Sequence, residues 1–236
     1  MKIGFLKTDA LRQEFTDKFG EYPDMFSRRF MEFDNTLQFA TYDVQLNQYP
    51  ESLDEVDVFL ITGSKNSVYD NEPWIQQLMD FVRKLYDEKK PLIGICFGHQ
   101  LIAQALGGET RKADQGWQVG VQENHILAAG RAAGLRSENY RLISSHQDQV
   151  KRAAPGSEIL ASSLGCPIAM TRMGGHIFSV QGHPEFEPAF ARDLYTYRRS
   201  ILGDRLTDRA LASLSKRTDS ATILQFALDY VSQGIQ

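Results

Sequence analysis

The chain has 236 residues, 42% of them hydrophobic and 24% charged, which suits one soluble domain with ample burial for a stable core. Its formal net charge of -4 excludes a global positive field that would draw in nucleic acid, and the basic pairs Arg28-Arg29 and Lys89-Lys90 read as solvated helix faces or ends. Two cysteines, Cys96 and Cys166, make no disulfide framework and fit a reducing cytoplasm; no apolar run is long enough to cross a bilayer, and the opening run from Met1 to Leu6 is too short for a secretory leader.

A first buried strand is predicted over residues 2–6, then a helix over 9–19, with Leu11, Phe15 and Phe19 at helical spacing and a stop at Gly20. Pro23 and Asp24 start a second short helix within the aromatic stretch 22–33, and 38–46 reads as a second strand. The compact apolar run 57–61 reads as a buried parallel strand that ends in a turn at Thr62-Gly63-Ser64. Pro73 opens a helix over 73–90, with Trp74, Leu78, Phe81, Val82 and Leu85 at helical spacing, and Pro91 stops it. A short strand over 92–96 passes directly into a helix over 98–106, closed by Gly107-Gly108. This alternation of strand and helix is the signature of a parallel sheet covered by helices on both faces.

After Gly108 the texture changes. Strands are expected over 110–127, 140–144, 158–162, 167–172 and 176–181, as a mixed or antiparallel extension of the sheet. From about Glu187 onward the chain is helical, with Leu206, Leu211, Leu214, Ile223, Phe226, Ala227 and Tyr230 at helical spacing. The expected fold is an α/β three-layer sandwich with a mostly parallel central sheet. Its main domain covers 1–190, and a helical extension over 191–236 packs on the same domain.

The most informative segment is Gly94-Ile95-Cys96-Phe97-Gly98-His99-Gln100. A reactive residue sits between a buried strand and a helix, with a glycine two positions to either side, which is the recipe for a nucleophile elbow. The helix start offers free backbone N–H groups and the positive end of a dipole, both of which favour a thiolate. The N–H of Phe97 then points to where an oxyanion would form. The competing reading of such a segment is a structural cysteine on a core strand, and Cys166, beside Pro167 with no helix after it, takes that reading.

A catalytic cysteine needs a histidine to take and return its proton. Of His99, His125, His146, His176 and His183, only His183 comes with an orienting carboxylate in a suitable place, in Gln181-Gly182-His183-Pro184-Glu185 after an apolar strand. Residues two apart in an extended stretch face the same way, and Pro184 stiffens that spacing, so His183 and Glu185 share a cleft. A carboxylate on one ring nitrogen leaves the other for the thiol.

Gly94-x-Cys96-x-Gly98-x-Gln100, followed late in the chain by His183-x-Glu185, resembles the class I (triad-type) glutamine amidotransferases, whose fold is flavodoxin-like. The resemblance implies that Cys96, His183 and Glu185 are catalytic. It also implies that Gly63 or Ser64 adds a second oxyanion-hole N–H beside that of Phe97, and that Gln100 contacts the glutamyl part of the substrate. Ser144-Ser145-His146-Gln147-Asp148 is similar to the stretch that holds the substrate's α-amino and carboxylate groups in GMP-synthetase-type members. Tyr22-Pro23-Asp24-Met25-Phe26 and Gly116-Trp117-x-Val119-Gly120 resemble the free-standing GMP-synthase-like subgroup, and the same motifs recur in plant γ-glutamyl peptidases that act on glutathione conjugates.

On this reading the enzyme hydrolyses γ-glutamyl amide bonds through a γ-glutamyl thioester, with no metal ion or organic cofactor. An α/β-hydrolase would place its acid before its histidine, and peptidases related to intracellular proteases carry histidine directly after cysteine, where Phe97 stands here. No Walker-type or other Gly-rich nucleotide loop is present, so any ammonia-accepting synthase is a separate partner. The alternatives are a free-standing γ-glutamyl peptidase and a non-catalytic module of the same fold. The small-molecule substrate, the acceptor and the oligomeric state are not named by the sequence.

Overall fold

A computed structural model describes residues 1–233, so the last three positions of the expected helical C-terminus, 234–236, lie outside the described residues. The first half runs β1 (Lys2–Lys7), α1 (Gln13–Phe19), α2 (Tyr22–Met31), β2 (Gln38–Asp43), β3 (Val58–Ile61), α3 (Pro73–Asp87), β4 (Leu92–Ile95) and α4 (Phe97–Ala105). Then follow β5 (Glu109–Lys112), β6 (Gln118–Ile126), α5 (Ala128–Ala132), β7 (Asn139–His146), β8 (Asp148–Arg152), β9 (Glu158–Ser162), β10 (Met170–Met173) and β11 (Ile177–Val180). The chain continues through α6 (Pro188–Tyr197), α7 (Arg199–Leu202), α8 (Asp204–Ser213) and α9 (Ser220–Ser232).

Among the described residues nine strands form one sheet in the order β2-β1-β3-β4-β11-β10-β9-β6-β7, while β5 and β8 make a separate two-stranded ribbon. Pairing is parallel from β2 through β1, β3 and β4 to β11. It is antiparallel from β11 through β10, β9 and β6 to β7. Strand period sorts the parallel half into two layers. Ile3, Phe5, Val58, Leu60, Ile93, Ile95, Phe178 and Val180 pack with Phe26 and Phe30 of α2 and with Ile223, Leu224 and Val231 of α9. Leu6, Phe59, Ile61, Leu92 and Ile177 face the other way, onto Leu78, Val82 and Leu85 of α3 and Leu101 and Ile102 of α4. A third core joins α1, α6 and α8 to Val119 and Val121 of β6 and Ile143 of β7. The fold is thus a three-layer α/β sandwich whose sheet is parallel in one half and antiparallel in the other.

Several boundaries differ from expectation for identifiable reasons. Residues 9–12 are not helical, because Asp9 turns its carboxylate onto the N–H of Ala10 and onto Lys65. The second strand stops at Asp43; Val44–Leu46 form a 3-10 turn closed by Asn47 in the left-handed region, at φ 60°. The long strand expected over 110–127 breaks at 113–117, where Gly116, at φ 75°, closes a turn by bonding back to Ala113. That break lets β5 leave the main sheet to pair with β8, a strand the sequence reading missed together with the short helix α5. The strand expected over 167–172 starts only at Met170, since Cys166 closes a tight turn with Ser163 by backbone bonds in both directions. Among the described residues no helix is long and apolar enough to cross a membrane.

Candidate active site

Cys96 sits where β4 hands over to α4, at φ 52° and ψ −100°. A non-glycine residue in that region carries strain of order 1–3 kcal/mol, so the surrounding packing must impose it. The flanking glycines show how. A Cβ on Gly98 would lie 2.5 Å from the Ile61 carbonyl oxygen, and one on Gly94 would lie 2.7 Å from the Gly98 carbonyl oxygen. Both positions stay bare so that the first turn of α4 can press onto β3 and β4. The Cys96 N–H donates to Val180 O at 2.9 Å, which fixes the bend against β11. As the first residue of α4, Phe97 has an N–H with no partner inside the helix, and its ring packs away against Trp74 at 5.6 Å between centroids.

His183 follows β11, its N–H donating to Ile143 O at 2.8 Å across the gap to β7. Its Nδ1 meets Glu185 Oε1 at 2.7 Å, and its ring stacks on Phe186, centroids 3.9 Å apart and planes 11° from parallel. Pro184 between them keeps the pair extended, as a two-residue reach requires. Burial alone would strip the proton from His183; the Glu185 carboxylate and the Cys96 sulfur outweigh it and raise the ring from 6.5 to about 10. The other carboxylate oxygen, Glu185 Oε2, is buried and has no hydrogen-bond partner among the described residues. The Cys96 and His183 side chains converge beside Gly63, whose added Cβ would lie 2.9 Å from His183 Cε1 and 3.9 Å from Cys96 Cβ.

Cys96 and His183 open into one cavity of about 280 Å³. Ser64, Gln100, Ser145 and His146 line it as well. The Gln100 Nε2 donates to Asp148 O at 2.8 Å and to Gln181 Oε1 at 3.1 Å. His146 is buried, which holds its ring down at about 4, and its Nδ1 lies 2.9 Å from Asp148 O. Ser144 is apart: its carbonyl accepts from Tyr195 OH at 2.6 Å, and it borders a small separate void with Cys166 and Asn124. Strand alternation puts Ser144 and Ser145 on opposite faces of β7. Asp148 accepts from Ser67 Oγ on one carboxylate oxygen and from Tyr69 OH on the other, pinning the loop after β3 over the cavity. Gly63 O accepts from Thr8 Oγ1 at 2.9 Å, so that loop is held from below too.

Other groups on the cavity carried no local signal in the sequence. Arg198, at the junction of α6 and α7, donates to Ser145 Oγ at 2.8 Å and lies 5.8 Å over the Trp117 ring. Leu194 and Ile201 come from the same helices, which the helical pattern alone could not aim at a site half a chain away. Gln181 does not line that cavity but donates to Cys96 Sγ at 3.5 Å, and its position two residues before His183 is a local clue to it. His99 lies outside the cavity: its ring, held at about 4 by burial, bridges Ser179 Oγ and Ile168 O inside the core. Cys166 is a buried thiol, which raises it to about 12. A thiol–imidazole–carboxylate row beside unpaired helix N–H groups is chemically equipped for acyl transfer.

The chain is similar to known proteins along most of its length. A family model described as "Glutamine amidotransferase class-I" matches residues 15–199. Gamma-glutamyl peptidase 3 of Arabidopsis thaliana is 32% identical over 216 residues, covering 87% of this chain and 84% of the relative. A glutamine-hydrolyzing GMP synthase of Aeropyrum pernix is 27% identical over 202 residues, covering 85% of this chain but 38% of the relative. Among solved structures, a glutamine amidotransferase from Thermotoga maritima superposes with a TM-score of 0.80 at 15% identity, over 99% of this chain and 98% of that one.

Proposed function

This chain belongs to the class I glutamine amidotransferase family, and on that premise we propose that it hydrolyses γ-glutamyl amide bonds with Cys96 as nucleophile, His183 as acid–base and Glu185 as the group that orients and charges His183. The observation that carries the proposal is the row itself: Glu185 Oε1 lies 2.7 Å from His183 Nδ1, and that ring meets Cys96, at its strained elbow, beside Gly63. The Cys96 sulfur attacks the γ-carbonyl carbon. The carbonyl oxygen becomes an oxyanion that the N–H of Phe97 and one from the Gly63-Ser64 loop stabilise, each worth on the order of a hundredfold in rate. Collapse breaks the C–N bond as His183 protonates the leaving nitrogen, which leaves a γ-glutamyl thioester. Water then gives up a proton to His183 and releases glutamate and the Cys96 thiol.

Glutamine is the simplest substrate of this chemistry; its ammonia would pass to an acceptor enzyme outside the chain. A second reading, a γ-glutamyl peptidase, has one observation in its favour. The peptidase relatives match over 69% to 84% of their own lengths, whereas the GMP synthases match over 38% and 30% of theirs. Gln100, Ser145 and His146 would hold the glutamyl part in either case.

The test is release of glutamate from glutamine, a γ-glutamyl dipeptide and a glutathione conjugate, by wild type and Cys96→Ala. Loss of all turnover in the variant, with a glutamyl adduct trapped on Cys96 in the wild type, is the expected result. Wild-type turnover by Cys96→Ala on any of the three would refute the nucleophile. Turnover of the peptides by the chain alone selects the peptidase; glutaminase activity that rises on adding a synthase selects the amidotransferase.

A further inference from the structure

We propose that Gln181 is a positioning residue whose side-chain amide, locked by Gln100, holds the Cys96 sulfur as a hydrogen-bond acceptor. The inference rests on Cys96 being the nucleophile. Its basis is a directional relay inside the protein. The Asp148 carbonyl can only accept, so the Gln100 group 2.8 Å from it is the amide nitrogen, a donor. That nitrogen has a second N–H, which goes to Gln181 at 3.1 Å, so Gln181 must turn its oxygen toward Gln100. The nitrogen end of Gln181 is then left facing Cys96 Sγ at 3.5 Å. Reversing either amide would set two oxygens or two N–H groups against each other in a buried site, where an unmatched polar group is costly. Gln181 is 2% exposed and Gln100 3%, so both amides are matched mainly by groups inside the protein.

The backbone fixes the approach. Val180 pairs with Ile95 in the parallel ladder, so Gln181 stands beside Cys96, one step past the last paired position. Its own N–H donates to Ala169 O at 2.9 Å, which ties it to the neck of β10. A donor aimed at sulfur favours the thiolate over the thiol, and it orients the lone pair that attacks. The ionisable groups felt at that sulfur are His183 with Glu185 behind it, Tyr22 of α2 and Cys166 before β10. Gln181 is uncharged, so replacing it changes the hydrogen bonding without changing the charge.

The experiment is alkylation of Cys96 by iodoacetamide across pH, with mass spectrometry reading the Cys96 peptide, in wild type and Gln181→Met, which keeps the chain length and removes the donor. Alkylation is expected to slow about tenfold at neutral pH, with the profile moved to higher pH. Turnover should fall in kcat with KM little changed, and both differences should shrink in alkali. Should Gln181→Met fail to fold, Gln100→Met reads the relay from its other end by alkylation alone, with a shift in the same direction. A Cys96 profile superimposable on wild type in the folded variant overturns the role of Gln181. Turnover by Cys96→Ala overturns the nucleophile itself, so the two failures are distinguishable.

Discussion

Gly63 and His183 are in contact closeness that only a glycine permits: a Cβ at Gly63 would come 2.9 Å from His183 Cε1. His183 can yield only by disturbing its stack on Phe186, at 3.9 Å, and its hold by Glu185. Gly63→Ala is therefore expected to push the ring off line from Cys96. We expect kcat/KM to fall on the order of a hundredfold, the cost of slight misplacement of reacting groups, with about 1–3 kcal/mol of overpacking read in urea unfolding. Wild-type turnover in the variant would show that the ring has room to move.

Glu185→Gln keeps the shape of the side chain and removes the charge that offsets burial at His183. The ring should lose its proton at lower pH, and its tautomer is no longer fixed by an acceptor-only group. A fall in kcat on the order of a thousandfold is expected, with the alkaline limb of the pH–rate profile moved down. An unchanged limb would mean that another group sets the charge of His183.

Gly98→Ala tests the packing that creates the elbow. The new methyl would meet Ile61 O at 2.5 Å and Ile61 Cβ at 2.8 Å, a backbone and a core strand that cannot step aside. Overpacking of this kind costs about 1–3 kcal/mol, and activity should fall with it as Phe97 shifts. Urea unfolding gives the first number and turnover the second. A variant as stable as wild type would show that α4 can ride away from β3.

Buried histidines give stability two opposing slopes in pH. His183 keeps its proton up to about 10 in the folded protein and loses it near its ordinary 6.5 when unfolded, so its contribution is full below 6.5 and is lost as pH rises through 10. His99 and His146 are held near 4 by burial, so unfolding takes up protons between 6.5 and 4, and stability is lost as pH falls through that window. Unfolding free energy should thus peak near pH 6.5, each ring adding a slope of up to about 1.4 kcal/mol per pH unit on its own side. His99→Gln should flatten the acid limb alone. Urea titrations at several pH values check both slopes.

The parallel half of the sheet was legible because its signal is local. Runs such as Val58-Phe59-Leu60-Ile61 bury both faces and read as strands wherever they stand. The second half was harder to read. Whether 110–127 is one strand or two depends on Gly116 and on which partner captures each piece, and β8 is too polar at its start to announce itself. The missed α5, five residues long, has no room for a helical period.

Two half-sites were written in the chain by themselves. A cysteine between glycines at a strand–helix junction, and a histidine spaced from a glutamate by proline, each specify a local backbone that carries a chemical group. Periodicity and spacing act over a few residues, so they reach that far. The convergence of β4 and β11 that puts those groups side by side, the approach of Gly63, the choice of Ser145 over Ser144 for the cavity, the arrival of Arg198 and the Gln100–Gln181 relay were decided by tertiary structure. They are distances between segments far apart in sequence, set by sheet order and by cores that only exist once the whole chain has collapsed around them.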